Sequence, residues 1–250
     1  MVAEIPADLT TSIVTSTLVF LALTLVIINR AVYSLKIPKN KRLGISLAIT
    51  LVLVGWFSFV YVLGQNGYFA EPLFSISSSR FLQISITAPN IIFAFLVLFI
   101  GVVLTFSSKT LQMIFDAIPQ PWIIGIQTYR LVGYGFIILY NLGLLPGEFA
   151  FPAGLGDMIV GFGAPFVAYL YFLKKPYSKK LAIAWNIIGI ADLVIAIGVG
   201  ILGYPIPFQI LPTDPSTKLL SLFPLVIIPA FSVPLALILH LFSLSFLLKK

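Results

Sequence analysis

The chain has 250 residues, of which 60% are hydrophobic and only 9% charged, against roughly 25% charged in an ordinary soluble domain. That composition predicts an integral membrane protein forming one transmembrane domain over residues 1–250. A net charge of +7 comes from short basic clusters between apolar runs, a signature of membrane topology rather than of nucleic-acid binding. The chain has no cysteine, which excludes disulfides, thiolate catalysis and Cys-ligated metals. With one histidine, neither metal nor cofactor is expected.

Apolar runs of about 20 residues are long enough to cross a bilayer. They predict an all-α bundle of seven spans at 9–29, 43–64, 81–106, 121–142, 153–173, 181–203 and 219–247. The N-terminus carries Glu4 and Asp8 instead of a basic leader, so the first run reads as a retained span. Alternate connections hold Arg30, Lys36, Lys39, Lys41 and Arg42, then Lys109, then Lys174, Lys175, Lys179 and Lys180, with Lys249 and Lys250 in the tail. Only Arg80 and Lys218 fall on the opposite side. The positive-inside rule therefore predicts an outside N-terminus and a cytoplasmic C-terminus, in the cytoplasmic membrane.

The two most basic loops share K-x-P-x-x-K-[KR]-L-x-I, from Lys36 to Ile45 and from Lys174 to Ile183, and Thr87-Ala-Pro89 echoes Ser232-Val-Pro234. Two parallel three-helix repeats joined by span four would explain this, with the alternative that Lys- and Pro-rich strings are common in cytoplasmic loops. In layout, a 3+1+3 repeat resembles the SWEET-type sugar transporters, although none of their sequence motifs is present.

Span four, residues 121–142, keeps an arginine near its middle. An ionisable residue inside a span is costly and is by default a functional candidate, or else one of a structural pair. At α-helical spacing Gln127, Arg130, Tyr134 and Asn141 fall within about 60° of one another, so they form one polar stripe. Counted from the basic loops, Arg130, Asp192 and His240 each lie on the order of 13–16 Å deep, roughly the midplane. Asp157 is expected roughly 5 Å below the outer surface, in an outer vestibule with Asn141 and Glu148. Span three offers Gln83, Thr87, Asn90 and Gly101. A ridge of Gly154, Asp157, Gly161, Ala164 and Ala168 favours close packing on span five. Prolines 89, 165, 224, 229 and 234 break backbone bonds inside spans, and span seven, with three of them, is the expected moving or unwound element.

The leading reading is a protein that binds or transports a small solute or ion through a polar cavity bounded by spans three to seven. Arg130 acts there as anchor for an anionic group or as partner of Asp192. His240 is the group suited to a proton switch, and Asn90, Gln127 and Tyr134 line the site. A structural Arg130–Asp192 pair is the plain alternative. Gly154-Leu-Gly156-Asp157 resembles the G-x-G-D string of intramembrane aspartyl proteases, which would make Asp157 and Asp192 catalytic. That chemistry needs two acids sharing a proton, and Tyr129-Arg130 stands where that family has Tyr-Asp. A sensor or assembly subunit is a further alternative. The expected partners are the lipid bilayer and an unidentified small molecule or ion, with self-association or a membrane partner left open.

Overall fold

A computed structural model describes residues 5–70, 72–77, 85–89, 92–205 and 209–249, and the side chains of these except 72–77, 85–89 and 92–95. Helices α1 (Ala7–Ser34) and α2 (Lys39–Gln65) come first, followed by strands β1 (Pro72–Ser77) and β2 (Ser85–Pro89) paired antiparallel. Then come α3 (Ile92–Ser107), α4 (Lys109–Asp116) and α5 (Gln120–Gly125). A 3₁₀ segment, Ile126–Gly133, leads into α6 (Tyr134–Asn141). The chain ends with α7 (Gly147–Phe172), α8 (Ser178–Leu202), a short 3₁₀ turn at Thr217–Ser221, a π segment at Ile228–Ser232 and α9 (Val233–Lys249). Among the described residues six continuous helical stretches are long and apolar enough to cross a membrane, and seven if α3 and α4, bent by 82°, count as one.

Two spans start later than the hydropathy alone suggests. Residues 85–89 of the third are a strand ending at Pro89, so the helix begins at Ile92. At the far end the chain turns sharply at Ser108, whose side chain caps α4 by accepting from the Leu111 N–H at 3.3 Å. In the seventh, the helix begins at Ile228 rather than near 219, because Pro224 and Pro229 deny the preceding residues continuous α-helical hydrogen bonds. The two halves of the second sequence echo also differ, since Thr87–Pro89 lies in β2 while Ser232–Pro234 joins the π segment to α9.

The last span is the centre of the bundle. In its most apolar stretch 67% of residues are buried, against 11% in α2, which turns most of its surface outward. Apolar residues exposed on α1 and α2, such as Val26, Leu51 and Val52, are what a lipid-facing surface requires. Three aromatic contacts tie α2 to the centre: Trp56 and Phe57 both pack edge-on against Phe231, and Tyr61 packs against Phe223. Two side chains donate to backbone carbonyls of the π segment. Pro234 has no N–H for the Ala230 carbonyl four residues earlier, and Trp56 Nε1 donates to it at 3.1 Å. Tyr129 Oη donates to the Ser232 carbonyl at 3.2 Å.

The small-residue ridge on α7 packs where its spacing predicts. A side chain at Gly161 would lie 2.9 Å from the Leu131 backbone nitrogen, and one at Gly154 would lie 3.1 Å from the Gly133 carbonyl. Backbone thus meets backbone between α7 and the 3₁₀ segment, which brings any polar group on either element deep into the other.

Candidate functional site

Arg130 sits in the 3₁₀ segment and is 1% exposed, with every nitrogen of its guanidinium bonded. Nε donates to Asp157 Oδ1 on α7 at 2.7 Å, and Nη2 donates to Asp192 Oδ2 on α8. Nη1 donates to the Gly189 carbonyl at 3.3 Å and meets His240 Nε2 on α9 at 3.2 Å. Four spans therefore converge on one side chain.

The spacing of the 3₁₀ segment decides which residues join it. Successive residues advance about 120° rather than 100°, so i and i+3 eclipse. Gln127, Arg130 and Gly133 then fall in line, whereas Tyr134 turns about 100° away from them and Asn141 about 80°. Tyr134 accordingly bonds Ser12 on α1 at 3.1 Å, and Asn141 ends α6 exposed. Neither joins the polar stripe that α-helical spacing predicts. Gln127 is fully buried and donates from Nε2 to the Ala236 carbonyl at 3.3 Å. Asn90 and Gln83 lie outside the described residues, and Thr87 lies in β2. Span three instead meets the centre through Gly101, where a side chain would press on Ile238 of α9.

Asp157 lies in this cluster and not in a vestibule with Asn141 and Glu148. Helix α7 starts at Gly147, six residues before the apolar run that hydropathy marks, which adds about 9 Å of depth. Asp157 is thereby level with Arg130. Glycines make the approach possible: a side chain on Gly156 would overlap the Asp192 carboxylate, and one on Gly133 would overlap Asp157. A Cβ on Gly189 would come within 2.6 Å of His240 Nε2.

On the other side of Arg130 a chain of side-chain hydrogen bonds leads away through His240. Asn186 Nδ2 donates to the Ala182 carbonyl at 2.8 Å and to Ser243 Oγ at 3.0 Å. A carbonyl accepts only, so the amide orientation of Asn186 is settled and its Oδ1 faces His240 Nδ1 at 3.0 Å as an acceptor. His240 must then carry its proton on Nδ1, leaving Nε2 with a lone pair for Arg130. Ser243 Oγ in turn donates to Gln120 Oε1 at 2.7 Å. Trp185 closes the remaining side of the imidazole, with ring centroids 4.9 Å apart, and is itself held by donation to the Val160 carbonyl at 3.2 Å.

This geometry narrows the chemistry. Four of the five guanidinium N–H groups are engaged by protein, and the pairing of Arg130 with Asp192 that the sequence suggests is present. A proton added at His240 Nε2 would meet the N–H of Arg130, so the imidazole could gain one only if the guanidinium withdrew. Asp157 Oδ2 and Asp192 Oδ1 make no bond to Arg130. Both acids retain some exposure, 15% and 10% of the side chain. Gln120 is the participant that sequence reasoning missed; its signal was the seven-residue spacing from Gln127, which places both on one helix face.

A family model described as "Domain of unknown function (DUF8737)" matches residues 86–248 and so takes in every member of the cluster. None of the curated proteins and none of the solved structures matches the chain.

Proposed function

We propose that this chain, which belongs to the DUF8737 family, is a multi-pass protein of the cytoplasmic membrane that binds or moves a small solute or ion, with proton linkage, at the Arg130–Asp157–Asp192–His240 cluster. One observation carries the reading. Two aspartates face one guanidinium while the imidazole is engaged as a neutral acceptor, so with both acids ionised the formal charge of the cluster is −1. A pair kept only to hold helices together needs one acid for one base. An unmatched negative charge at membrane depth is expensive, and a proton or small cation on a free carboxylate oxygen restores balance. The orientation with the N-terminus outside belongs to the same proposal and rests on the distribution of Lys and Arg.

The G-x-G-D resemblance supports proteolysis less well. Both acids do reach a common point, but the guanidinium occupies it, where an aspartyl protease needs a water between two carboxyls that share a proton. The discriminating experiment is charge displacement recorded from proteoliposomes on a solid-supported membrane during jumps in pH and in representative cations, anions, sugars and amino acids. The wild type should respond to a pH jump or to one solute class, and Asp157→Asn and Asp192→Asn should lose the response while remaining monodisperse in detergent. Signals from the wild type that match protein-free liposomes in every jump would remove the proposal.

A further inference from the structure

Beside the polar chain from His240 to Gln120 lie two buried amide atoms without a partner among the described residues. Gln120 and Gln127 are both buried, 3% and 0% exposed. Yet among the described residues Gln120 Nε2 and Gln127 Oε1 have no hydrogen-bond partner. Burying an amide group unpaired is costly, and in a membrane the usual remedy is a partner from protein or water. Flipping Gln127 would set its oxygen against the Ala236 carbonyl, so reorientation does not cure the defect.

These orphans lie along one seam. Gln120 and Gln127 are seven residues apart on the fourth span, and their partners Ser243 and Ala236 are seven apart on α9. His240 stands between those two on α9, bonded to Asn186 and Arg130. The order along each helix agrees. Gln120 is at the start of α5, Ser243 is near the end of α9, and Asn186 lies nearer the start of α8 than Asp192 does. The amide and hydroxyl groups therefore occupy the half of the bundle that contains the start of α5. Asp157 and Asp192 occupy the other side of Arg130.

We propose that the seam between the fourth span and α9, from Gln120 to His240, is a water-binding half-path. It opens at the end of the bundle that carries Lys174–Lys180 and stops at Arg130. Water supplies both the acceptor that Gln120 Nε2 lacks and the donor that Gln127 Oε1 lacks. An amide such as Asn186 is a poor proton carrier, so water rather than the side-chain relay brings protons towards the imidazole. In this arrangement Arg130 separates two polar compartments, one lined by amides and one by acids. The inference uses the reading of the cluster as a proton-linked centre but is tested apart from it.

The chain has no native cysteine, so a single introduced thiol reports access directly. Ser243→Cys changes one atom; Leu239→Cys, one turn away in the apolar core, is the control. In sealed vesicles a small cationic methanethiosulfonate should modify the thiol at 243 at least tenfold faster than that at 239, and only from the side of the Lys174–Lys180 loop. Gln120→Cys should show the same sidedness, which covers the case in which the first variant does not fold. Hydroxyl-radical labelling of the unaltered protein should oxidise His240, which is fully buried, because radicals form in adjacent water. Equal and slow modification at 243, 120 and 239, with His240 unlabelled, overturns the half-path. Such a result alongside an intact pH-jump response leaves the proposed function standing, whereas rapid modification with no such response removes the function and keeps the path.

Discussion

The unequal charge count makes a non-additive prediction. Asp157→Asn and Asp192→Asn each leave Arg130 with one carboxylate, and the asparagine oxygen still accepts the hydrogen bond that the acid accepted. Each single change therefore removes like-charge repulsion while keeping the geometry, and its effect on stability should stay within about 1 kcal/mol, of either sign. The double variant leaves a sealed guanidinium without any counter-charge. Removing the partner of a buried charge costs about 3–5 kcal/mol, and for a chain of this size about 2–4 °C accompanies each kcal/mol. The double variant should therefore lose roughly 6–20 °C of melting temperature in detergent while each single loses little. Thermal unfolding followed by intrinsic tryptophan fluorescence measures this, since Trp185 packs beside His240. If each single substitution already costs as much as the pair together, the acids are not interchangeable counter-charges and the reasoning from net charge fails.

Two further outcomes follow from the fold. Trp56→Phe should cost about 1–3 kcal/mol by leaving the Ala230 carbonyl without its borrowed donor, and in a Pro234→Ala background, where position 234 regains an N–H, that cost should shrink by about 1 kcal/mol; denaturation of the four proteins closes the cycle, and equal costs in both backgrounds would refute it. Tyr204 lies beyond the end of α8 with its hydroxyl against Ser221 at 3.2 Å, and burial raises its pKa. A proton held more tightly in the folded state favours folding, so that contribution is complete below the unfolded value near 10 and is lost as pH rises through the higher folded value. Tyr204→Phe should flatten the decline of melting temperature above about pH 10, and an unchanged alkaline limb would contradict this.

What the sequence disclosed and what it hid have separate physical causes. The common level of Arg130, Asp192 and His240 was legible, because rise per residue converts distance from a basic loop into position along each helix, and Arg130 does meet the other two. The faces of span four were not, because the run from Ile126 to Gly133 reads as helix in either geometry. Its tighter winding is accompanied by tertiary contacts: four hydrogen bonds from Arg130, and Tyr129 stacked on Phe20 of α1 with ring centroids 3.8 Å apart. Asp157 was placed too shallow for a different reason. Hydropathy marks where the chain becomes apolar, whereas α7 starts earlier, at Gly147 directly after Pro146, a boundary that a proline signals and a hydropathy window passes over. The late start of the last helix could be read from Pro224 and Pro229, but the donor that stands in for the missing N–H of Pro234, Trp56, comes from a distant part of the chain and carries no local mark.

The eight-residue 3₁₀ run also differs in length and in phase from an α-helix of the same residues. At about 2.0 Å per residue it is roughly 4 Å longer than the same residues wound as an α-helix, and at about 120° per residue it is overwound by roughly 160°. Rewinding it would draw the two ends of the fourth rod together and spin one against the other by nearly half a revolution.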